Sequence, residues 1–393
     1  MSDFSDTEAA AADAAAADAA AADAAALEAV RRLVRERIEP LAKETDARAE
    51  FPRRQLEALA ELGVLGMNLP VQWGGPGISA PAFAACVEAI AAACGSTASA
   101  LTAHFLATDA VLLGGDDALR GRYLPAAAEG RQLGAFALTE PRAGSNPADM
   151  RCRAVRDGDG YRLSGVKHFI SNGGIADFIV VFAVTDPDAG QRGISAFVVD
   201  RGTPGLTAGS PERTMGLRGG HVFELSFECC IPATQRLGPE GTGFRTAMRV
   251  LDNGRIEVAA MCLGIAQAAL DAGVRWAAER QVGGQPLAEY QGIQWMIADM
   301  ATELQAARLL TEDAARKRGA HGRYSLEASM AKLFASEAAG RIADRALQIH
   351  GGYGYTGDLP LERYVRDLRI MRIYEGSSEI QRTIIARALT AKR

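Results

Sequence analysis

The sequence is short of the features that mark several common functions. Its six cysteines (Cys86, Cys94, Cys152, Cys229, Cys230 and Cys262) form no CxxC pair, and its five histidines show no metal-ligand spacing. A structural metal and a disulfide framework are therefore not expected, a pattern that suits a reducing cytoplasm. No long lysine and arginine run appears in a chain of net charge −5, which argues against nucleic acid or an anionic membrane as partner. No run of about eighteen uninterrupted apolar residues is present for a transmembrane span. The N-terminus is rich in alanine but lacks a basic segment, and Asp13, Asp18 and Asp23 interrupt it, so it does not read as a secretory signal. Strands do not alternate with helices, which removes a parallel α/β sheet, and the glycines of "GGYGYTG" (351–357) follow a helix, unlike those of a Rossmann turn.

What is present is an ordinary globular composition, 48% hydrophobic and 23% charged over 393 residues, enough for two or three domains. Residues 1–26 repeat alanine and aspartate; the five-residue step of the aspartates leaves no apolar stripe, so this leader is expected to be helical or disordered. Over 27–132, apolar residues recur at three- and four-residue spacing ("ALEAVRRLVRERIEPLAKETD", "RRQLEALAELGVLGM"), which predicts an N-terminal helical domain. Over 133–239 the rhythm changes to short β-rich runs such as "DFIVVFAVT", "ISAFVVD" and "VFELSFECCI" between turn clusters, which predicts a middle antiparallel β domain. Over 240–393 the helical period returns. The fold class is α+β, mainly α.

Four segments carry residues suited to chemistry. "AFALTEPRAGSNPADM" sets Thr139, Ser145 and Asn146 around small residues, offering hydroxyls and close backbone approach to a ligand. In "GVKHFISNGG", Phe169 and Ser171 lie two apart and would share a strand face, able to cover and bond a ring or simply to pack. Asp252 and Arg255 lie three apart on a predicted helix and can pair, as ligand groups or as a solvated surface pair. In "IYEGSSEIQR", Ser378 to Gln381 fits a capping box, which puts Glu375 and Gly376 in the turn before a helix. A carboxylate there is either catalytic or simply favoured by the helix dipole.

In order, "TEPRAGS", "KHFISNGG", "LDNGR", "QIHGGYGY" and "IYEGSSEIQR" resemble the acyl-CoA dehydrogenase family of flavoproteins, over about residues 27 to 390. The resemblance implies that the last block is a C-terminal four-helix bundle and that the three domains enclose FAD, usually in a homotetramer. It implies α,β-dehydrogenation of an acyl-CoA thioester to the trans-2-enoyl-CoA: a carboxylate takes the α-proton, the β-hydride goes to flavin N5, and electrons pass to an electron-transfer flavoprotein or similar acceptor. The base falls on Glu375; the family's other base position, one residue before the arginine of "LDNGR", is here Gly254. Family similarity assigns FAD contacts to Phe136, Leu138, Thr139, Gly144 and Ser145, and the isoalloxazine edge to Phe169 and Ser171. Gln348, Gly351 and Gly352 would meet the adenosine diphosphate portion of a neighbouring subunit's FAD, with Arg280 reaching across the interface and Ser377 and Glu379 beside the base. Ser145, Asp252, Arg255, Tyr374 and Gly376 would meet substrate.

The departures are Phe169 where tryptophan is commonest, Arg142 and Asn146 in the first loop, and Gly283 where the family carries a phenylalanine, which implies weaker hold on FAD. Alternatives are an acyl-CoA oxidase or related flavin oxidase, and a catalytically idle acyl-CoA-binding homologue. A nitroalkane-oxidising relative is disfavoured because that branch tends to carry aspartate at the base position.

Overall fold

Alanine is the strongest helix former, and the first element follows from it: α1 (Ser2–Leu33) runs unbroken from the alanine–aspartate leader into the apolar residues Leu27 and Val30. The computed structural model describes residues 2–320 and 322–391, with side chains from residue 17 onward. Asp23 Oδ1 accepts the Ser79 N–H (2.9 Å), which ties α1 to the residue before the helix that starts at Ala80. The helical block continues with α2 (Ala42–Arg48), α3 (Arg53–Glu61), α4 (Ala80–Ala93), α5 (Gly95–Gly114) and α6 (Asp117–Ala128). Helix α5 is buried from Gly95 to Val111, including the polar Thr97, Thr102, His104 and Asp109. Such a helix lies inside the molecule and not on its skin.

The strands are β1 (Gly134–Ala137), β2 (Arg153–Asp157), β3 (Gly160–Ser171), β4 (Phe178–Val184), β5 (Ile194–Asp200), β6 (Leu206–Ala208), β7 (Val222–Pro232) and β8 (Arg236–Leu237). They form one sheet in the order β6-β7-β3-β2-β4-β5-β8, with β1 added against β4. Most pairs are antiparallel, but β1 runs parallel to β4, from Gly134 opposite Phe178 to Ala137 opposite Val181. The expected antiparallel middle domain thus carries two parallel exceptions, this pairing and the bridge of β2 to β4 at Arg153 and Val184. The chain leaves β1 into a long loop and passes through the β2–β3 hairpin before β4, a connection long enough for parallel pairing. Alternation along β4 sends Phe178, Val180 and Phe182 into the core shared with α5 and α6, and Ile179, Val181 and Ala183 into the core against β3 and β7.

After the sheet come α7 (Gly243–Glu279), the short hairpin β9 (Gln281–Val282) and β10 (Gln285–Pro286), then α8 (Gln291–Gly319), α9 (Ser325–His350), α10 (Gly352–Tyr355), α11 (Leu361–Met371) and α12 (Ser378–Thr390). Helix α7 contains an apolar window long enough to cross a membrane, yet 72% of that window is buried. It is the axis of the core, packed by α4, α5, α8 and α9. Close approach is built in, because a Cβ at Gly264 would lie 2.1 Å from the Glu88 carbonyl of α4.

Candidate active site

Between α11 and α12 the chain makes a tight turn. Ile373 and Tyr374 donate to the Ile370 carbonyl (2.7 and 3.1 Å), and Ser378 N–H donates back to Arg372 (3.0 Å). Glu375 then adopts φ 52° and Gly376 φ 90°. Glycine accepts that left-handed backbone freely, whereas a glutamate held there is a strained residue of the kind that gathers at functional sites. The expected capping box is corrected: Ser377, not Ser378, caps α12 by accepting the Ile380 N–H (3.4 Å). Ser378 instead donates to Glu337 Oε1 (2.7 Å) on α9. Gln381 is turned inward, its amide donating to the carbonyls of Glu375 (3.1 Å) and Gly376 (2.9 Å), and so is not free to cap.

The Glu375 carboxylate lies against α7. Its Oε2 is buried without a hydrogen-bond partner. A Cβ at Gly254 would sit 2.1 Å from that oxygen and 2.8 Å from Leu106 Cδ2, so only glycine at 254 admits the side chain. Burial pushes the Glu375 carboxyl up to about 7, opposed by the positive charges of Lys332 and Arg255. Arg255 is 5% exposed and pairs with Asp252, which also accepts the Ser325 hydroxyl. The Asp252–Arg255 pair is thus interior, and the surface reading of it falls. Burial lowers the Arg255 pKa, while Asp252 and Glu375 raise it. Glu257, two residues further along α7, is fully buried with neither carboxyl oxygen partnered, and burial holds it well above the usual carboxylate range. The Tyr374 hydroxyl meets Met371 Sδ at 2.9 Å.

Two further groups of candidate residues lie elsewhere. In the loop after β1, Lys167 Nζ donates to the Leu138 carbonyl (2.9 Å) and to Glu140 Oε1 (2.8 Å), and Glu140 also accepts the N–H groups of Arg151 (2.6 Å) and Cys152 (3.0 Å). The Thr139 carbonyl accepts the His168 N–H (2.9 Å), coupling this loop to β3. There the register of β3 against β7 shifts between Lys167 and Ile170, and Phe169 takes φ 57°. A bulge thus interrupts regular strand alternation at Phe169, while Phe169 and Ser171 are both less buried than the Ile170 between them. Phe169 is 61% exposed and stacks on His168 (4.1 Å), and Ser171 is half-buried at the end of β3. Phe136 packs on Phe182 (5.0 Å), Leu138 is buried, and Gly144 and Ser145 are exposed.

The other group is the corner after α9. Arg280 lies over the Tyr353 ring (5.6 Å), Tyr353 leans on Trp276 (5.2 Å), and Trp276 stacks on His350 (4.9 Å). Gln348, Gly351 and Gly352 are exposed beside it. A cavity of about 470 Å³ near this corner is lined by Arg275, Trp276, His350 and Tyr364 and includes none of the candidate residues.

Comparison with known proteins places this arrangement. Family models for the acyl-CoA dehydrogenase N-terminal, middle and C-terminal domains match residues 21–131, 135–230 and 241–390. The chain belongs to the acyl-CoA dehydrogenase family. It is 45% identical to the acryloyl-CoA reductase (NADH) of Anaerotignum propionicum over 353 residues, 89% of this chain and 90% of that one. The solved butyryl-CoA dehydrogenase of Megasphaera elsdenii superposes with a TM-score of 0.92 at 37% identity, over 94% of this chain and 98% of that chain. A chain from a structure described as the electron-transferring flavoprotein of Acidaminococcus fermentans superposes at 0.93 with 39% identity, over the same shares.

As an acyl-CoA dehydrogenase the chain has the family's three-domain fold and is an oxidoreductase of flavoprotein type. Its residues suit a flavin on structural grounds. A Cβ at Gly144 or Gly352 would meet no atom within 4 Å, so this chain's packing does not demand glycine there and the open backbone suits a ligand, whereas Gly351 has φ 59°, which itself favours glycine. The exposed Phe169 offers an aromatic face. Gly283 has φ 58°, a backbone that disfavours a phenylalanine there. Lys332, Lys167 and Glu140 were missed by sequence reasoning. Their only signal was a charged residue on an otherwise apolar helix face or inside a β-rich run.

Proposed function

We propose that this chain catalyses FAD-dependent α,β-dehydrogenation of an acyl-CoA to the trans-2-enoyl-CoA, with Glu375 as the base that removes the α-proton. One observation carries the reading: Glu375 presents a buried, unpartnered carboxyl oxygen at the turn before α12, against a glycine that vacates the alternative base position. A carboxyl pushed up to about 7 is matched to proton abstraction near neutrality. Proton removal places negative charge on the thioester oxygen, which needs a donor. The Glu375 N–H donates to no backbone carbonyl among the described residues and is suited to that task. Bound FAD would supply the acceptor for the β-hydride. Phe136, Leu138, Thr139, Gly144, Ser145, Phe169 and Ser171 would hold it, with Ser377 and Glu379 at the base turn. Arg280, Gln348, Gly351 and Gly352 would serve a neighbouring subunit's FAD. Ser145, Asp252, Arg255, Tyr374 and Gly376 would meet the acyl-CoA.

A homotetramer is supported by Trp295, Tyr353, Tyr355 and Leu389, large apolar side chains exposed along the C-terminal helices. An electron-transfer flavoprotein is the proposed acceptor, and the cytoplasm the proposed location. Likeness to a protein named acryloyl-CoA reductase favours a second direction for the same site, reduction of a 2-enoyl-CoA with Glu375 returning the proton. Purified protein should be yellow, and anaerobic acyl-CoA should bleach the flavin; a colourless protein unable to take up FAD would sink the proposal. Reoxidation of reduced enzyme by enoyl-CoA tests the reverse direction, and oxygen uptake without an added acceptor would mark an oxidase.

A further inference from the structure

Lys332 is fully buried on the face of α9 that carries the buried Ala328, Ala331 and Ala335. A buried ammonium is costly unless it is hydrogen-bonded, and the partners here are unusual. Its Nζ donates to the carbonyls of Tyr374 (3.0 Å) and Gly376 (2.7 Å), the two peptides that flank Glu375. We propose that Lys332 is the positioning residue of the base turn, clamping the backbone on both sides of Glu375 so that the carboxylate stays against Gly254 and aimed at the substrate α-proton. This rests on Glu375 being the base.

The need for a clamp comes from the backbone. A left-handed glutamate is strained and persists only where its surroundings over-determine it. All three carbonyls of the turn are held: Tyr374 by Lys332, Glu375 by Gln381, and Gly376 by both. Gln381 belongs to α12 and moves with the turn. Lys332 belongs to α9, which packs along α7, the helix that carries Gly254 and Arg255. Ser378 also reaches α9 through Glu337, but Lys332 is the α9 side chain bonded to the carbonyls that flank Glu375, and so registers the base itself against the other half of the site.

Its charge has a second effect on the same group. Arg255, Glu257 and Cys262 face this region from α7, Lys332 and Glu337 from α9, and Tyr374 from the turn itself. Lys332 and Arg255 favour the Glu375 carboxylate; a charged Glu257 would oppose it, but burial favours its neutral form. Burial lowers Lys332 to about 8, so it remains cationic at neutrality. Removing that cation disfavours the Glu375 carboxylate, and the pH at which the base becomes available must rise.

Two variants of the holoenzyme test this. Lys332→Gln removes the charge and keeps a donor, whereas Lys332→Arg keeps the charge on a planar fork that does not seat one nitrogen between two carbonyls. The infrared carbonyl band of protonated Glu375, assigned by its loss in Glu375→Gln, should titrate about one pH unit higher in Lys332→Gln and near the wild-type midpoint in Lys332→Arg. In Lys332→Arg the plateau rate of flavin bleaching should fall about 10- to 100-fold, with a smaller change in KM. An unshifted Lys332→Gln midpoint together with a wild-type Lys332→Arg plateau overturns the proposal; should one variant not hold flavin, the other's readout decides. Normal bleaching by Glu375→Gln would instead overturn the base assignment, while the infrared midpoints still report the hold of Lys332.

Discussion

Lys167 of β3 and Lys332 of α9 are both fully buried, yet they treat the nearest carboxylate in opposite ways. Lys167 gives its hydrogens to Glu140 Oε1 and the Leu138 carbonyl, and Glu140 fills its remaining capacity with two backbone N–H groups. Lys332 gives its hydrogens to backbone carbonyls around Glu375 and leaves Glu375 Oε2 without a partner. A saturated buried carboxylate is inert and stiffens the loop that holds it. One denied partners keeps the proton affinity that burial imposes and is poised to exchange a proton with a ligand. What separates the strut from the proposed base is therefore not burial or the presence of a lysine, but where the lysine's hydrogen bonds go.

Removing the poised group should have the largest effect. Glu375→Gln keeps the shape of the side chain and should retain FAD and acyl-CoA while slowing anaerobic bleaching by about 10³- to 10⁴-fold, the scale of a lost general base. Near-normal bleaching would place the base elsewhere. Breaking the saturated pair should act on stability instead. Lys167→Met strands Glu140 in the interior and should cost about 3–5 kcal/mol in urea unfolding, since an uncompensated buried charge remains. The pH midpoint of the Glu375 infrared band should not move, and if it did, the two sites would not be independent. Gly254→Ala is subtler: the new methyl must displace a carboxylate oxygen that would lie 2.1 Å away. Bleaching should fall about 100-fold with folding and flavin content intact, because a misplaced base loses its alignment. Unchanged bleaching would show that Glu375 reacts from another position.

Glu375 was legible because a glycine-flanked acidic residue before a helix start stood last in an ordered series of motifs, and because Gly254 visibly cannot serve in its place. The helix, strand, helix succession was legible from a change of period, from 3.6 to 2 and back. What escaped depends on the third dimension. Lys332 reads as one lysine in an alanine-rich helix, and nothing local says that its end meets carbonyls 42 and 44 residues away. The motif "SSEIQ" satisfies a capping box on paper, but Gln381 is drawn inward by the turn's carbonyls and the cap passes to Ser377. Phe169 sits in a bulge at φ 57°, which spacing alone does not announce. The parallel pairing of β1 arises from a long loop whose return point only the assembled sheet reveals.

Asp367 of α11 stands between the two extremes and gives the smallest predicted effect. It is buried, and its Oδ1 accepts the Leu217 N–H (2.5 Å), which fastens the loop at φ-positive Leu217 to the helix that leads into the base turn. That bond favours the charged form but does not overcome burial, which pushes the carboxyl up to about 7 from an ordinary value of 3.8. Below about pH 3 the group is neutral in both folded and unfolded chains. As pH rises toward 7 the unfolded chain releases this proton and the folded one retains it, so the wild type loses stability through this window. Asp367→Asn cannot ionise and keeps an oxygen for the Leu217 N–H. Relative to wild type, the variant should therefore gain on the order of 2 kcal/mol in urea-unfolding free energy between pH 4.5 and 6, within the roughly 1.4 kcal/mol per pH unit that one proton allows. A difference of the same size at both pH values would mean that Asp367 is ionised in the folded protein, held by Arg363 and Arg366 as Glu140 is held by Lys167.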